Sequence, residues 1–269
     1  MIPLIILDLD GTIIGSSGHV DDCVWKAVEK ARGAGVRFAV CTGRPCFGVA
    51  QKVAKRLGPT TPHIFQNGAQ IAYASGENVK VFALKEAAAR SLVNQSRRSN
   101  LTLELYSPTT LFIERKTPVS EAHAKMIGVN AIVRDLYDVV ENEPVVRAQW
   151  LLKTGEEEEA SLEDDTLQTS TATSPALEGT LFVSITHKEV SKGEATRLLA
   201  QTMRLDLEDI VGVGDSLGDI PMLDAVGYPV VMGNAPEQLK ERYETVAGDV
   251  DKCGVVPVIE QALSQQKAD

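Results

Sequence analysis

No stretch of the 269 residues approaches the roughly 18 apolar positions that a membrane-spanning helix requires. Residues 1–7 are apolar but follow no basic leader, and Asp8 ends the run, so the start is not read as a signal peptide. Cations are in deficit: Lys and Arg total 27 against 37 Asp and Glu, a formal net charge of −10. With the cations scattered as well, a nucleic-acid surface is not expected. Cysteine is scarce. Cys23, Cys41, Cys46 and Cys253 form no C-x-x-C pair, which excludes the usual zinc frameworks. Their sparseness reads as reduced thiols in a cytoplasmic protein. Cys41 and Arg44 stand three apart, too close for a cysteine phosphatase loop that closes on an arginine six residues on. Apolar content is not lacking: 43% apolar with 24% charged residues describes a globular chain, long enough for one large domain or two smaller ones. No internal repeat or coiled-coil pattern is present.

Hydrophobic patterning gives the layout. Residues 2–9 read as a buried strand ended by Asp10-Gly11. A helix from about Asp21 places Val24, Val28 and Ala31 on one face and stops at Gly33-Ala34-Gly35. Residues 36–41 form a second strand; Thr42-Gly43-Arg44 is a turn, and Pro45 suits the first position of a helix that runs to Leu57. Residues 63–66 are a third strand before Asn67-Gly68-Ala69. This is βαβ spacing, which implies a parallel sheet covered by helices. Near Asn78 the rhythm changes. Helices are expected at 85–97 and near 119–127, a hairpin at 101–106 and 111–113, and strands at 147–152 and 180–186. The acidic run Glu156–Glu159 with Glu163, Asp164 and Asp165 reads as a short solvated helix, a metal cluster being the alternative. The Ser/Thr-rich stretch up to Pro175 reads as a loop. From Ser191 the α/β rhythm returns, with a helix through Met203, strands at 210–213 and 229–232, a short helix at 220–226 and a turn at Gly233-Asn234-Ala235. The expected fold class is α/β: a Rossmann-like, doubly wound core of residues 1–78 and 187–269, interrupted by an α+β insert of residues 79–186.

Open parallel sheets bind ligands beyond the carboxyl ends of their strands. Asp8, Asp10, Gly11 and Thr12 stand there after the first strand, Thr42, Gly43 and Arg44 after the second, Asn67 and Gly68 after the third. Gly214, Asp215, Ser216 and Asp219 follow the strand at 210–213. No histidine is among them, which speaks against a Ser-His hydrolase. Asp8 and Asp10, two apart at a strand end, point the same way. With Asp215 they would repel without a cation, and Mg²⁺ is the natural one. Taken alone, Asp8-x-Asp10-Gly11 also reads as a polar strand exit into a tight turn. Ser191-Lys-Gly-Glu194 fits a capping box and puts Lys192 in a first helical turn, where the dipole disfavours a cation unless an anion binds there. A solvated surface lysine is the other reading. Together the residues suit phosphoryl transfer.

The order of these motifs resembles the haloacid-dehalogenase (HAD) superfamily of phosphohydrolases. Asp8-Leu-Asp10-Gly-Thr12 is similar to its first motif, Thr42-Gly-Arg to its second, Lys192 in Val190-Ser-Lys-Gly-Glu194 to its third, and Gly214-Asp215-Ser-Leu-Gly-Asp219-Ile-Pro-Met to its fourth. The insert is similar to the α/β cap of the Cof-like branch, and Asn67-Gly-Ala69 and Met232-Gly-Asn234-Ala235 match turns of that branch. The resemblance covers essentially the whole chain. It implies that Asp8 attacks phosphorus to form an aspartyl phosphate and that Asp10 serves as acid and then base. Thr42, Gly43 and Lys192 would hold the phosphoryl oxygens. Asp8, the backbone carbonyl of Asp10, and Asp215 would bind Mg²⁺, with Asp219, Asn67 and Asn234 in support. One position departs: the family's fourth motif has Asn before its last Asp, where this chain has Gly218.

The implied protein is a Mg²⁺-dependent phosphatase of a small phosphorylated metabolite, a sugar phosphate or a phosphoglycolate-like acid. A phosphomutase and a non-catalytic binding protein on the same scaffold are the alternatives. A response-regulator receiver shares the Asp, Thr and Lys chemistry but is about half this length and phosphorylates an Asp in mid-chain.

Overall fold

An uninterrupted apolar tetrad forms β1 (Leu4–Leu7), and every side chain in it is buried. Such a strand suits the middle of a parallel sheet, where both faces are covered. The computed structural model describes residues 2–157, 160, 164–174 and 177–266. They divide into two compact units: Met1–Gly43, Ala50–Val79 and Ser191–Asp269 in one, Arg44–Val49 and Lys80–Val190 in the other.

In the first unit α1 (Asp22–Gly33) buries Val24, Val28 and Ala31, and β2 (Arg37–Val40) pairs parallel with β1. α2 (Val49–Leu57) does not begin at Pro45 as expected. Gly48 adopts φ +70°, a conformation through which a right-handed helix cannot run, so the helix starts one residue later. β3 (Pro62–Phe65) continues the parallel arrangement through a bridge between Cys41 and Ile64. β4 (Gln70–Tyr73) then folds back on it antiparallel, with β5 (Asn78–Val81) alongside β4.

The second unit holds α3 (Glu86–Ser99), β6 (Thr102–Tyr106), β7 (Leu111–Ile113), α4 (Pro118–Ile127), β8 (Ala131–Val133), α5 (Leu136–Asn142), β9 (Arg147–Lys153), β10 (Leu167–Thr173) and β11 (Thr180–His187). Its sheet runs in the order β10-β11-β9-β6-β7-β8, antiparallel except for the β7–β8 pair. Leu92, Leu103, Leu105, Phe112, Val139, Trp150 and Ile185 form its core. The Ser/Thr-rich stretch, expected as a loop, is instead the edge strand β10, paired with β11 from Leu167↔His187 to Thr173↔Leu181. Threonine favours extended backbone, and a mostly exposed edge strand needs no apolar alternation. Of the acidic run, Glu158, Glu159 and Glu163 lie outside the described residues, as does Pro175. Glu156 and Glu157 brace a turn, accepting from the backbone N–H groups of Lys153 and Gly155 at 2.8 and 2.7 Å.

The chain returns to the first unit with α6 (Lys192–Met203), β12 (Ile210–Gly214), α7 (Ile220–Leu223), β13 (Tyr228–Val231), α8 (Glu237–Lys240) and α9 (Val256–Gln266). The sheet order β13-β12-β1-β2 is parallel throughout, so the expected α/β core with an α+β insert is the fold that forms. Leu4, Ile6, Ala39, Ile64, Leu199, Met222 and Val231 pack its interior. A further expectation fails: Cys23 and Cys253 are not free thiols but a disulfide between α1 and the turn before α9, with Cα atoms 6.4 Å apart. A separation of 230 positions hid a proximity that the packing of α1 against α9 creates. Cys41 and Cys46 remain buried thiols. Among the described residues no helix is long and apolar enough to cross a membrane.

His63 on β3 joins two backbone groups across the interior. Its Nδ1 accepts from the Val40 N–H at 3.1 Å, so its Nε2–H donates to the Gly58 carbonyl at 2.9 Å. A second ring proton would face the Val40 N–H, and burial drives the pKa down to about 4. The unfolded chain takes up that proton near pH 6.5, so stability is full above this pH and falls as the pH drops toward 4. The expected loss is about 3 kcal/mol. Urea unfolding across this range should show that extra slope in the wild type and not in His63→Leu.

Candidate active site

Two neighbouring parallel strands deliver the first carboxylates. Leu7 pairs with Val213, and the Asp8 N–H donates to the Val213 carbonyl at 3.0 Å, so β1 and β12 release Asp8 and Asp215 side by side. α6 adds a cation. Ser191 caps it by accepting from the Glu194 N–H at 3.0 Å, while the Glu194 carboxylate pairs with Arg197. Lys192 is therefore in the first turn, and it is buried, not a solvated surface lysine. Its Nζ lies 2.7 Å from Asp8 Oδ1 and 2.6 Å from Asp219 Oδ1.

Asp219 is the hub on the other side. Its Oδ2 accepts from the N–H groups of Asp215 and Ser216 at 3.1 and 2.9 Å and from the Ser216 hydroxyl at 2.9 Å. That tuck needs Gly214, where a Cβ would come within 2.5 Å of the Asp219 Cβ. Asp215 Oδ1 accepts from the Thr12 hydroxyl at 3.2 Å.

The electrostatics separate three carboxyls of one chemical kind. Burial holds Asp8 well above the usual carboxylate range; Lys192 opposes this and Asp219 adds to it. Burial raises Asp215 to about 6, reinforced by Asp219 and opposed by the Thr12 hydrogen bond. Asp219 is also pushed up by burial, but Lys192 and the Ser216 hydrogen bonds outweigh that and keep it below the usual value. Burial works against the Lys192 ammonium, yet Asp8 and Asp219 hold its pKa well above that of a free lysine.

Asp8, Asp215 and Asp219 each offer an oxygen within 4.8 Å of the others, the only such cluster among the described residues. Three carboxylates against one ammonium leave a surplus of two negative charges. A divalent cation that prefers hard oxygen ligands fits this donor set and would reverse the rise at Asp8 and Asp215.

The remaining residues of the sequence reading belong to the same unit as this cluster, Arg44 excepted, which groups with the other unit. Asp10 is exposed, its carboxylate is not one of the three that converge, and its backbone bridges to Ile14. Thr42 is buried, and its carbonyl accepts from the Asn67 N–H at 3.0 Å. Asn67 in turn stands over Gly43, where a Cβ would be 3.0 Å from its Oδ1. Asn234 donates to the Gly11 carbonyl at 2.8 Å and accepts from the Val250 N–H at 3.0 Å, pinning the loop after β1. The sequence reading placed Ser216 at the strand end without giving its hydroxyl a role, and it passed over Gln66. A hydroxyl three residues before a buried Asp was the available signal for the first; nothing in the pattern marked the second.

The sequence profile of the haloacid dehalogenase-like hydrolases matches residues 5–259. The chain belongs to this family. Among curated relatives, the 5-amino-6-(5-phospho-D-ribitylamino)uracil phosphatase YwtE of Bacillus subtilis is 24% identical, with 98% of this chain and 99% of the relative covered. Phosphatase YwpJ of the same organism is 25% identical over 97% of this chain and 99% of its own. The crystal structure of a hypothetical protein from Geobacillus kaustophilus superimposes with a TM-score of 0.84 at 25% identity, covering 98% of both chains. The two Bacillus subtilis relatives, named as phosphatases, agree with the expectation of a phosphoric monoester hydrolase.

In this hydrolase Lys192 is the only cation bonded to Asp8 and Asp219 among the described side chains. Lys192→Met should lower stability by about 3–5 kcal/mol in chelator at neutral pH, because two buried carboxylates lose their partner. Urea unfolding should show the deficit shrinking as the pH falls and those carboxyls take up protons.

Proposed function

We propose that this hydrolase is a Mg²⁺-dependent phosphatase acting on a small phosphorylated metabolite, a sugar phosphate or phosphoglycolate-like acid, through an aspartyl-phosphate intermediate. The observation that carries the reading is Lys192 bonded to both Asp8 and Asp219 beside Asp215, at the carboxyl ends of parallel strands. In this reading an Asp8 oxygen attacks phosphorus, the bond to the leaving oxygen breaks, and Asp10 supplies the proton. Asp10 then takes a proton from water, whose oxygen attacks the same phosphorus, freeing Asp8 and inorganic phosphate. The exposure of Asp10 suits a group that must meet both the leaving oxygen and water. Thr42, the Gly43 backbone and Lys192 hold the phosphoryl oxygens and offset their charge. Asp8, the Asp10 carbonyl and Asp215 would hold Mg²⁺, which supplies Lewis-acid stabilisation when bound, with Asp219 keeping the loop in place.

Specificity in this reading belongs to residues 79–186, with residues 1–78 and 187–269 as the catalytic part. The Bacillus subtilis relative named for a ribitylamino-uracil phosphate supports a polyhydroxylated leaving group. A cytoplasmic location also belongs to the reading, on the ground of a phosphorylated-metabolite substrate and not of the cysteines, two of which are bonded to each other.

Release of inorganic phosphate from a panel of phosphorylated metabolites, with Mg²⁺ and with chelator, tests the function. Turnover should need the metal. Asp8→Asn should lower kcat at least about a thousandfold with the fold intact by circular dichroism, since an amide does not attack phosphorus. A folded Asp8→Asn with near wild-type activity would overturn the mechanism.

Gly218 calls for its own test. It is exposed, a Cβ there would meet only the Ser216 hydroxyl at 3.5 Å, and the Asp219 carboxylate is already supplied by Lys192 and Ser216. Gly218→Asn should therefore change kcat by less than about tenfold. A hundredfold gain on the true substrate would mark the native loop as impaired.

A further inference from the structure

Gln66, at the end of β3, carries two features at once. Its side chain is fully buried, and neither its amide nitrogen nor its oxygen has a hydrogen-bond partner among the described residues. Its backbone opens a run of three left-handed residues: φ is +53° at Gln66, +58° at Asn67 and +106° at Gly68. Native proteins pair nearly all buried amides. Non-glycine residues hold a left-handed conformation where their surroundings over-determine it, often at functional sites.

The turn is clamped on one side by Thr42 of the proposed phosphate subsite and on the other by the residue that precedes Lys192. On one side the Asn67 N–H donates to the Thr42 carbonyl, and the Thr42 N–H donates to Ile64 just upstream, both at 3.0 Å. On the other side Gly68 lies against the start of α6. A Cβ at Gly68 would come within 2.4 Å of the Ser191 carbonyl oxygen and 3.1 Å of the Ala195 Cβ. Ser191 caps the helix whose next residue is Lys192. Residues 66–68 thus form a spacer between Thr42 and Lys192, with the unpaired carboxamide at its first position.

We propose that Gln66 is a positioning residue for phosphate binding: its carboxamide, bonded to an enclosed water, fixes the 66–68 turn and through it the spacing of Thr42 and Lys192. A carboxamide offers two donors and a carbonyl acceptor, enough to bind such a water from two directions. Gln66 itself touches neither substrate nor metal; it acts through Asn67 and Gly68. The inference rests on the phosphatase reading.

Gln66→Met separates this role from a merely structural one, because Met keeps the length and removes the polar atoms. A buried amide without purpose is a defect, so its removal would leave Tm unchanged or raised and phosphate affinity untouched. A positioning role gives a different pattern. In the full chain with Mg²⁺, calorimetric affinity for inorganic phosphate should fall roughly tenfold, and KM for p-nitrophenyl phosphate should rise in step while kcat stays within about threefold. Wild-type affinity in a folded Gln66→Met would overturn the inference alone. A wild type that neither binds phosphate nor hydrolyses the ester would refute the phosphatase reading, and the inference with it. Should Gln66→Met fail to fold, deuterium exchange of the wild-type 66–69 amides takes its place. Protection on adding inorganic phosphate supports the role, and exchange indifferent to phosphate overturns it.

Discussion

A single ammonium group holds together parts of the chain that are far apart in sequence. Lys192 bonds Asp8 across 184 positions and Asp219 across 27, and all three side chains are buried. Placing charge in such an interior is costly unless the partners meet at hydrogen-bond distance with their remaining capacity filled. Both conditions hold here for Asp219, whose second oxygen is filled by two amides and a hydroxyl. The packing of β1 against β12, the cap at Ser191 and the missing side chain at Gly214 all bring these groups to bonding distance.

The result is a graded set of carboxyls. Asp219 is committed to Lys192 and to its own loop, and its negative charge is a fixed part of the framework. Asp8 and Asp215 are less compensated, and both titrate above the usual carboxylate range. Their excess charge is what a cation would relieve. Asp219 thereby sets the field that the other two feel, even though the family resemblance alone assigns it only a supporting place.

The parts of the fold that were legible in the sequence are those where burial is two-sided or periodic. β1 declared itself through Leu-Ile-Ile-Leu, and α1 through Val24, Val28 and Ala31. β10 did not, because Leu-Gln-Thr-Ser-Thr-Ala-Thr has neither apolar run nor alternation and owes its state to pairing with β11. The start of α2 was misplaced because the propensity of Pro45 for a first turn is local, whereas the left-handed Gly48 answers to its packing. In the site, Asp8, Lys192 and Asp215 could be named from strand-end chemistry and motif order. The Ser216 hydroxyl could be suspected. Gln66 could not, since an unpaired amide is a property of what surrounds it, and a pairing of Cys23 with Cys253 across 230 positions has no local signature either.

That disulfide also gives the chain a topology. It closes a covalent ring from residue 23 to residue 253, and the whole of the Lys80–Val190 segment is spliced into it at both ends. A single backbone cut anywhere inside the ring leaves one molecule, and only a cut followed by a dithiol yields two. Lys192, Asp215 and Asp219 belong to the ring, whereas Asp8 belongs to the tail that precedes it. The ion pair between Asp8 and Lys192 therefore fastens the segment before Cys23 to a closed loop. The covalent anchor of that segment lies only fifteen residues beyond Asp8, at Cys23.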